Sequence, residues 1–396
     1  MKQAPNESKG LIPKLRFPEF EKDGGWKIKS INAICKILNN IRKPVTSSNR
    51  KSGEYPYYGA SGIIDYINDY LFDEQLLLVG EDGAKWGSFE STAFLVKGKY
   101  WVNNHAHVLK PTGIDSKLLE SYLVKLDLHL YITGAAPPKL TLGKLKEIPV
   151  PVPITPQEQQ KIASCLSSLD ELLAAHNQKL DALKDHKKGL MQNLFPQEGE
   201  KVPKYRFKEF EGDGEWVEKK LNDFCFNISS GKDKNLDNGK IDLYGSTGII
   251  GRTESASYEG DYILIARVGA NAGLLNRVFG QFGVTDNTLI INLKEPEKIE
   301  FIFYSLAKIG LNKLVFGSGQ PLVTGKQLKE LIFPIPENEM EQQKIASCLS
   351  ALDEIITAQT EKIEQLQQHK MGLMQGLFPN SIKNYESSIT KTNRNS

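Results

Sequence analysis

"EQQKIASCLSSLDELL" runs from Glu158 to Leu173, and "EQQKIASCLSALDEII" runs from Glu341 to Ile356. Starting points 183 residues apart with nearly the same words mark a chain built by duplication. The repeat extends outward from there. "PKLRFPEFEKDGGW" from Pro13 returns as "PKYRFKEFEGDGEW" from Pro203, at an offset of 190. "YYGASGII" from Tyr57 returns as "LYGSTGII" from Leu243, at an offset of 186. "LKEIPVPVP" from Leu145 returns as "LKELIFPIP" from Leu328, at an offset of 183. The falling offset means that the first copy has gained residues between these anchors.

The duplicated stretch reads as a helix. Pro156 suits a first turn, where a missing N–H costs nothing. Thr155 is the expected N-cap, with Glu158 three residues on as in a capping box. Glu337 or Asn338 takes that part in the second copy. Apolar residues recur in steps of four and three: Ile162, Leu166, Leu169, Leu173, Leu180, Leu183, Leu190 and Leu194, with polar His176 and Lys187 in the same series. The second copy repeats the seam as Ile345, Leu349, Leu352, Ile356, Ile363, Leu366, Leu373 and Leu377, with Gln359 and Lys370 at the polar places. A narrow seam with a 3.5-residue period over five heptads indicates a coiled coil rather than an ordinary surface helix. The two helices are expected to pack on each other, with the polar seam residues fixing register. Nearly 40 residues at 1.5 Å rise make a rod on the order of 55–60 Å long, able to space two heads.

Each helix follows a region rich in Gly, Tyr and Asn with short strand-like runs such as "EQLLLVG" and "DYILIARVG". The helices are nearly alike, whereas these heads have diverged. "GEDGAKWGSFESTAFLVKGKYWVNNHAHVL" faces "ARVGANAGLLNRVFGQFGVTDNTLII" with little in common. A shared scaffold with divergent working surfaces is what duplicated binding modules look like.

Composition narrows the class. At 396 residues, 40% hydrophobic and 25% charged, the chain suits a multi-domain globular protein. No apolar run is long enough to span a membrane, and the N-terminus lacks a signal-peptide core, so a cytoplasmic protein is expected. The net charge of +2 does not announce nucleic-acid binding. Lys36–Lys51, however, carries positive charges only, and reads as either a solvated loop or a phosphate-contacting one. Cys35, Cys165, Cys225 and Cys348 are spaced for neither a metal site nor an evident disulfide; they read as small, semi-buried residues copied by duplication.

Together the "EQQKIA…LDELL" and "EQQKIA…LDEII" repeats, the "GLMQNLFP" and "GLMQGLFP" helix ends, the "YGASG" and "YGSTG" turns, "VNNHAHVLK" and "GQPLVTGKQLKEL" resemble the specificity subunit of type I restriction–modification systems. The resemblance covers the chain up to the polar tail after Pro379. It implies an α+β fold: two β-rich globular target-recognition domains separated by two long helices that form an antiparallel coiled coil, with an internal pseudo-twofold repeat. The expected parts are a first recognition domain at 1–155, a central helical region at 156–200, a second recognition domain at 201–338, a C-terminal helical region at 339–379, and a polar tail at 380–396. The resemblance further implies double-stranded DNA with a bipartite site as ligand, two methyltransferase subunits and restriction–translocation subunits as partners, no membrane, and no cofactor in this chain. The partners would use S-adenosylmethionine, ATP and magnesium.

The residues agree that this chain is not itself the catalyst. It has no G-x-x-x-x-G-K-[ST] loop and no Asn-Pro-Pro-aromatic tetrad for a flipped adenine. "ARVGANAG" from Ala266 reads as a tight turn. His105 and His107 would share one face of a strand, but with no nearby Cys they make a poor metal site. Base reading needs forked donors and acceptors, and phosphate contacts need cations and N–H groups. The DNA-binding candidates are Tyr57, Tyr58, Ser61, Lys85, Asn103, Asn104 and His105 in the first head, and Tyr244, Ser246, Arg267, Asn271, Arg277, Asn287 and Gln320 in the second. Tyr58 and Tyr244 recur, so a fold role suits them better; residues that differ between copies, such as Lys85 and Arg267, are the better reading candidates. A two-headed, non-catalytic scaffold for proteins or sugars is the alternative, and a self-sufficient methyltransferase or nuclease is disfavoured by the missing motifs.

Overall fold

A computed structural model describes residues 11–134, 137–236, 238–315 and 321–379. The chain divides into two compact units, Met1–Asn177 with Glu361–Ser396, and Gln178–Thr360. Two helices of 38 and 39 residues, Pro156–Asn193 and Glu339–Leu377, each contribute to both units. Every seam residue named above is buried or half-buried along them.

The helix starts differ in one respect from the sequence reading. Thr155 Oγ1 does accept from Glu158 N, at 3.4 Å. The Glu158 carboxylate does not complete a capping box. It turns instead to Arg16, whose Nε and Nη2 donate to it at 2.7 and 2.8 Å, and to Trp26 Nε1 at 3.1 Å. A buried carboxylate gains more from a fixed guanidinium fork than from one backbone N–H. In the second copy Asn338 is the cap, accepting from Met340 N at 3.0 Å.

In the first unit an antiparallel four-stranded sheet has the order Cys35–Ile37, Ala106–Pro111, Leu76–Gly80, Ala93–Val96. A second sheet has the order Gly62–Ile67, Ser52–Gly59, Lys99–Val102, Phe72–Asp73, with its central pair parallel. The short pair Lys27–Ser30 and Pro149–Val152 closes the head near its two ends. The leading core cluster joins Trp26, Leu118, Leu119 and Tyr122 of the head to Ile162 and Leu166 of the first long helix and to Met374, Leu377 and Phe378 at the end of the second. Phe378 meets Trp26 edge-on and Tyr122 at a tilt. The "LFP" ending is thus a plug for the head, not merely a helix stop.

The second unit repeats this plan with its own residues. Six strands form one sheet in the order Cys225–Ser230, Thr288–Leu293, Tyr258–Ala266, Leu275–Val284, Ile241–Gly245, Gly248–Thr253. One ten-residue strand, Leu275–Val284, does the work that Ala93–Val96 and Lys99–Val102 share in the first head. Val217–Lys220 pairs with Ile332–Ile335. Phe195 packs against Trp216 and Phe301, as Phe378 does against Trp26 and Tyr122. Arg206 grips Glu341 at 2.8 and 2.7 Å, as Arg16 grips Glu158.

A second tie also recurs. In the first unit Asp170 of the first long helix pairs with Lys370 of the second and, at 2.6 Å, with Lys117 of the head helix Ser116–Lys125. In the second unit Asp353 pairs with Lys187 at 2.5 Å and accepts from Tyr304 of the helix Ile299–Ile309 at 2.7 Å. Lys187 and Lys370 are the lysines among the polar seam residues, and their aspartates, Asp353 and Asp170, are themselves repeat-related. Within each unit the helix contacts run in opposite chain directions. Ile162 shares a core cluster with Phe378 while Asp170 meets Lys370, and Leu194 shares one with Ala346 while Lys187 meets Asp353.

Cys35 and Cys225 are buried, and Cys165 and Cys348 half-buried. Among the described residues no helix is long and apolar enough to cross a membrane, and no group of three or more His, Cys, Asp or Glu is placed to hold a metal ion.

Candidate nucleic-acid interface

In the first head the candidates divide between core and surface. Tyr57 is sealed in the core, its hydroxyl accepting from Val45 N at 2.9 Å and its ring under the Arg50 guanidinium at 4.6 Å. Tyr58 is half-buried against Phe94 and Tyr100. Asn103 is buried and accepts from His105 N at 2.8 Å, which shapes the loop rather than facing outward. Ser61, Lys85, Asn104 and His105 are exposed.

Those four lie on loops that touch one another. Ser61 sits in the turn between Ser52–Gly59 and Gly62–Ile67, where Gly62 has φ +128°, a conformation that disfavours any side chain. Gly80 packs against this turn so closely that a Cβ there would come 3.0 Å from Ala60 O. The loop that Gly80 begins carries Lys85, and Glu81 N donates to His105 O at 2.8 Å. A fourth loop joins when Leu140 N donates to Glu81 O at 2.8 Å.

The second head builds the same loop edge. Tyr244 is half-buried against Phe282, and Ser246 is half-buried in the turn before Gly248. Arg267 N donates to Asn287 O at 2.9 Å, and Val323 N donates to Arg267 O at 2.9 Å. These bonds match those of Glu81 with His105 and Leu140. They make Arg267 the backbone counterpart of Glu81, Asn287 that of His105, and Asn271 that of Lys85. Gly83 and Gly269 confirm the alignment, with φ +67° and +79° at the same step of the turn. Asn271 and Asn287 are exposed and Arg267 is half-buried. Arg277 stands apart: its guanidinium is spent on Asp261, at 2.6 to 3.2 Å, and on Glu300 at 2.8 Å. Gln320 lies outside the described residues.

The equivalence exposes residues that the sequence reading passed over. Glu81 is buried and ringed by Arg42 at 2.5 Å, Lys139 at 2.8 Å and His107 at 3.5 Å. Burial pushes its carboxyl up, but hydrogen bonds from Lys139 and Arg42 outweigh this and hold it below the ordinary range. His107 is fully buried. Its Nε2 lies 2.7 Å from Leu140 O, and its Nδ1 lies 2.9 Å from Asn39 Nδ2. Neutral imidazole with the proton on Nε2 satisfies both partners, and burial pulls the His107 pKa down. His105, by contrast, is exposed beside Asp82 at 2.5 Å. In the second head Leu289 replaces His107 at the equivalent strand position. An offset of 186 would have revealed the match of Glu81 and Arg267, because "YYGASGII" and "LYGSTGII" share it.

The basic run of the first head also divides. Arg42 is committed to Glu81, and Arg50 to Asp65 at 3.1 Å and to the Tyr57 ring. Lys36, Lys43 and Lys51 are exposed.

The family described as "Type I restriction modification DNA specificity domain" matches residues 23–185 and 213–368, one match in each repeat. A specificity subunit of a type I restriction enzyme from Haemophilus influenzae is 37% identical over 145 residues, which are 36% of this chain and 37% of that protein. The chain thus spans little more than a third of that relative. The specificity subunit of the type I restriction enzyme MjaVIII of Methanocaldococcus jannaschii is 27% identical over 93% of this chain and 94% of its own length. The crystal structure of a type I restriction–modification S subunit from M. genitalium shares the fold, with a TM-score of 0.67 at 17% identity over 93% of this chain and all of that one. Two family matches, one on each copy of a duplicated frame, place the chain among the specificity subunits of type I restriction–modification systems, which are their non-catalytic components.

Proposed function

We propose that each unit reads one half of a bipartite site in double-stranded DNA through its four-loop edge. The single observation that carries this is that the two units share their ties to the helices yet differ in side-chain chemistry at equivalent loop positions: Glu81 against Arg267, Lys85 against Asn271, His105 against Asn287. A scaffold for one repeated ligand would keep those positions alike; a reader of two different half-sites would vary them. Ser61, Lys85, Asn104 and His105 then face DNA in the first half-site, and Ser246, Asn271 and Asn287 in the second. Lys36, Lys43 and Lys51 are suited to phosphates. Tyr57, Tyr58, Asn103, Tyr244 and Arg277 serve the frame.

On this reading the two long helices pair as an antiparallel coiled coil, their length sets the gap between half-sites, and they carry two adenine-N6 methyltransferase subunits, with motor–nuclease subunits joining for cleavage. S-adenosylmethionine, ATP and magnesium belong to those partners. The parts at 1–155, 156–200, 201–338 and 339–379 serve as reader, spacer, reader and spacer; the segment 380–396 lies outside the described residues.

The test is to express the chain with its genomic neighbours and map N6-methyladenine across a host genome. A split motif with a constant gap is expected. In parallel, binding to random duplex DNA should weaken log-linearly with salt, as counterion release requires. Salt-independent binding, or none, would favour the protein- or sugar-binding scaffold.

A further inference from the structure

The loop edge of head two holds three buried polar atoms without partners. The Nε of Arg267 and the Oγ1 atoms of Thr285 and Thr288 are buried and accept or donate no hydrogen bond among the described residues. All three belong to the loop edge: Arg267 N bonds Asn287 O, and Thr288 sits opposite Ala266 in the sheet register. Thr288 is 1% exposed. In the first head the place of Arg267 is taken by Glu81, which is saturated by Arg42 and Lys139, and the place of Thr285 by Asn103, which is bonded to His105 N.

The Nε of Arg267 has lost water without gaining a partner, which is unfavourable in the free protein, while the rest of the half-buried guanidinium keeps a solvent-facing side. Around it the exposed Asn271 and Asn287 add amide donors and acceptors, and no ion pair or hydrogen bond ties the guanidinium to a carboxylate among the described residues. What relieves such a group is an acceptor supplied by a ligand. Duplex DNA offers phosphates and base-edge acceptors, and among the bases only guanine presents two acceptors, O6 and N7, on one major-groove edge. The place of Arg267 between the exposed amides of Asn271 and Asn287, side chains suited to base edges, favours guanine, whose O6 and N7 accept both prongs of a planar fork.

We infer that Arg267 reads a guanine of the second half-site through its guanidinium fork, and that Glu81, at the same backbone position of the first head, makes no base contact and holds its loop by ion pairing. The inference rests on the DNA-reading function proposed above and names one of its contacts.

The experiment compares methylation motifs made by the full complex carrying the natural chain, Arg267→Lys or Arg267→Ala. The lysine variant keeps the charge and loses the fork. The expected result is that one guanine position, in one half-site only, loses its preference by roughly ten- to a hundredfold in the alanine variant and by less in the lysine variant. The other half-site keeps its bases. A uniform loss of methylation with unchanged base preference, together with a salt slope lower by about 1 in the alanine variant, would mean a phosphate contact and overturn the inference. An unchanged motif at full activity would overturn it as well. Loss of the cooperative thermal transition in both variants would make Arg267 a folding residue and have the same consequence. If the natural chain itself yields no split motif, the failure is that of the DNA-reading function, and it is seen before any variant is made.

Discussion

Arg16 and Glu158 stand 142 residues apart in the chain and meet through two hydrogen bonds, with side chains only 6% and 1% exposed. The pair joins the start of the first head to the first turn of the first long helix. Arg16 also donates to the carbonyls of Asp23 and Gly24, so one side chain closes the "DGG" turn and anchors it to the helix. Arg206 repeats every one of these contacts with Glu341, Asp213 and Gly214. The retained words of the duplicated sequence are therefore the two halves of one joint.

Removing one partner strands a buried charge. Arg16→Ala or Glu158→Ala should cost about 3–5 kcal/mol, read as a lowered denaturation midpoint of the first unit. The double change Arg16→Met with Glu158→Leu should recover most of that loss, because no charge is left unpaired. A single variant with unaltered stability would mean that the joint is not a structural one.

Acid should weaken the first head through His107. Its folded pKa is depressed by burial, with Arg42 and Lys139 adding to the effect and the Leu140 carbonyl and Glu81 opposing it. Above the unfolded value of about 6.5 neither state binds the proton. As pH falls below that value the unfolded chain takes it up first, so stability is lost down to the folded pKa. Thermal scans between pH 7 and 5 should show a falling midpoint. His107→Leu, which installs the residue found at the equivalent place in the second head, should flatten that part of the slope. An equal slope in both proteins would assign it to other groups.

Lengthening the spacer should widen the gap in the methylated motif. One extra heptad in each long helix, after Asn177 and after Thr360, keeps the seam in phase. Seven residues add about 10 Å, near three base pairs at 3.4 Å each, and the rotation falls about 20° short of two full turns. A heptad in one helix alone leaves its partner too short and should reduce activity. If the paired insertion gives the original gap at full activity, spacing is set by the partner subunits.

The helices were legible in the sequence because their signal is local: Leu166, Leu169 and Leu173 recur with the helix period wherever the chain goes next. The plugging of the heads by Phe195 and Phe378 was not, because "LFP" reads simply as a stop. Sheet order escaped for the same reason. Strands Ser52–Gly59 and Lys99–Val102 pair in parallel across some 40 residues, and no period in either announces the other. Among site candidates, exposure depended on tertiary packing. Tyr57 and Tyr58 are neighbours in sequence, yet one is sealed under Arg50 and the other half-open. Arg277 looks like a free cation until Asp261 and Glu300 come alongside. Lys85 and Asn271 share one loop position, marked in the sequence only by the short G-A-x-x-G frame of residues 83–87 and 269–273 at the offset of 186.

If the proposed function holds, each unit reads its own half of the site. The most direct test exchanges residues 25–150 for the same region of a relative with a different first half-site, leaving Arg16, Glu158 and both helices in place, and reads the methylation motif of the assembled complex. One half of the motif should change to that of the donor, while the other half and the gap stay the same. A change in both halves, or in neither with full methylation retained, would contradict it.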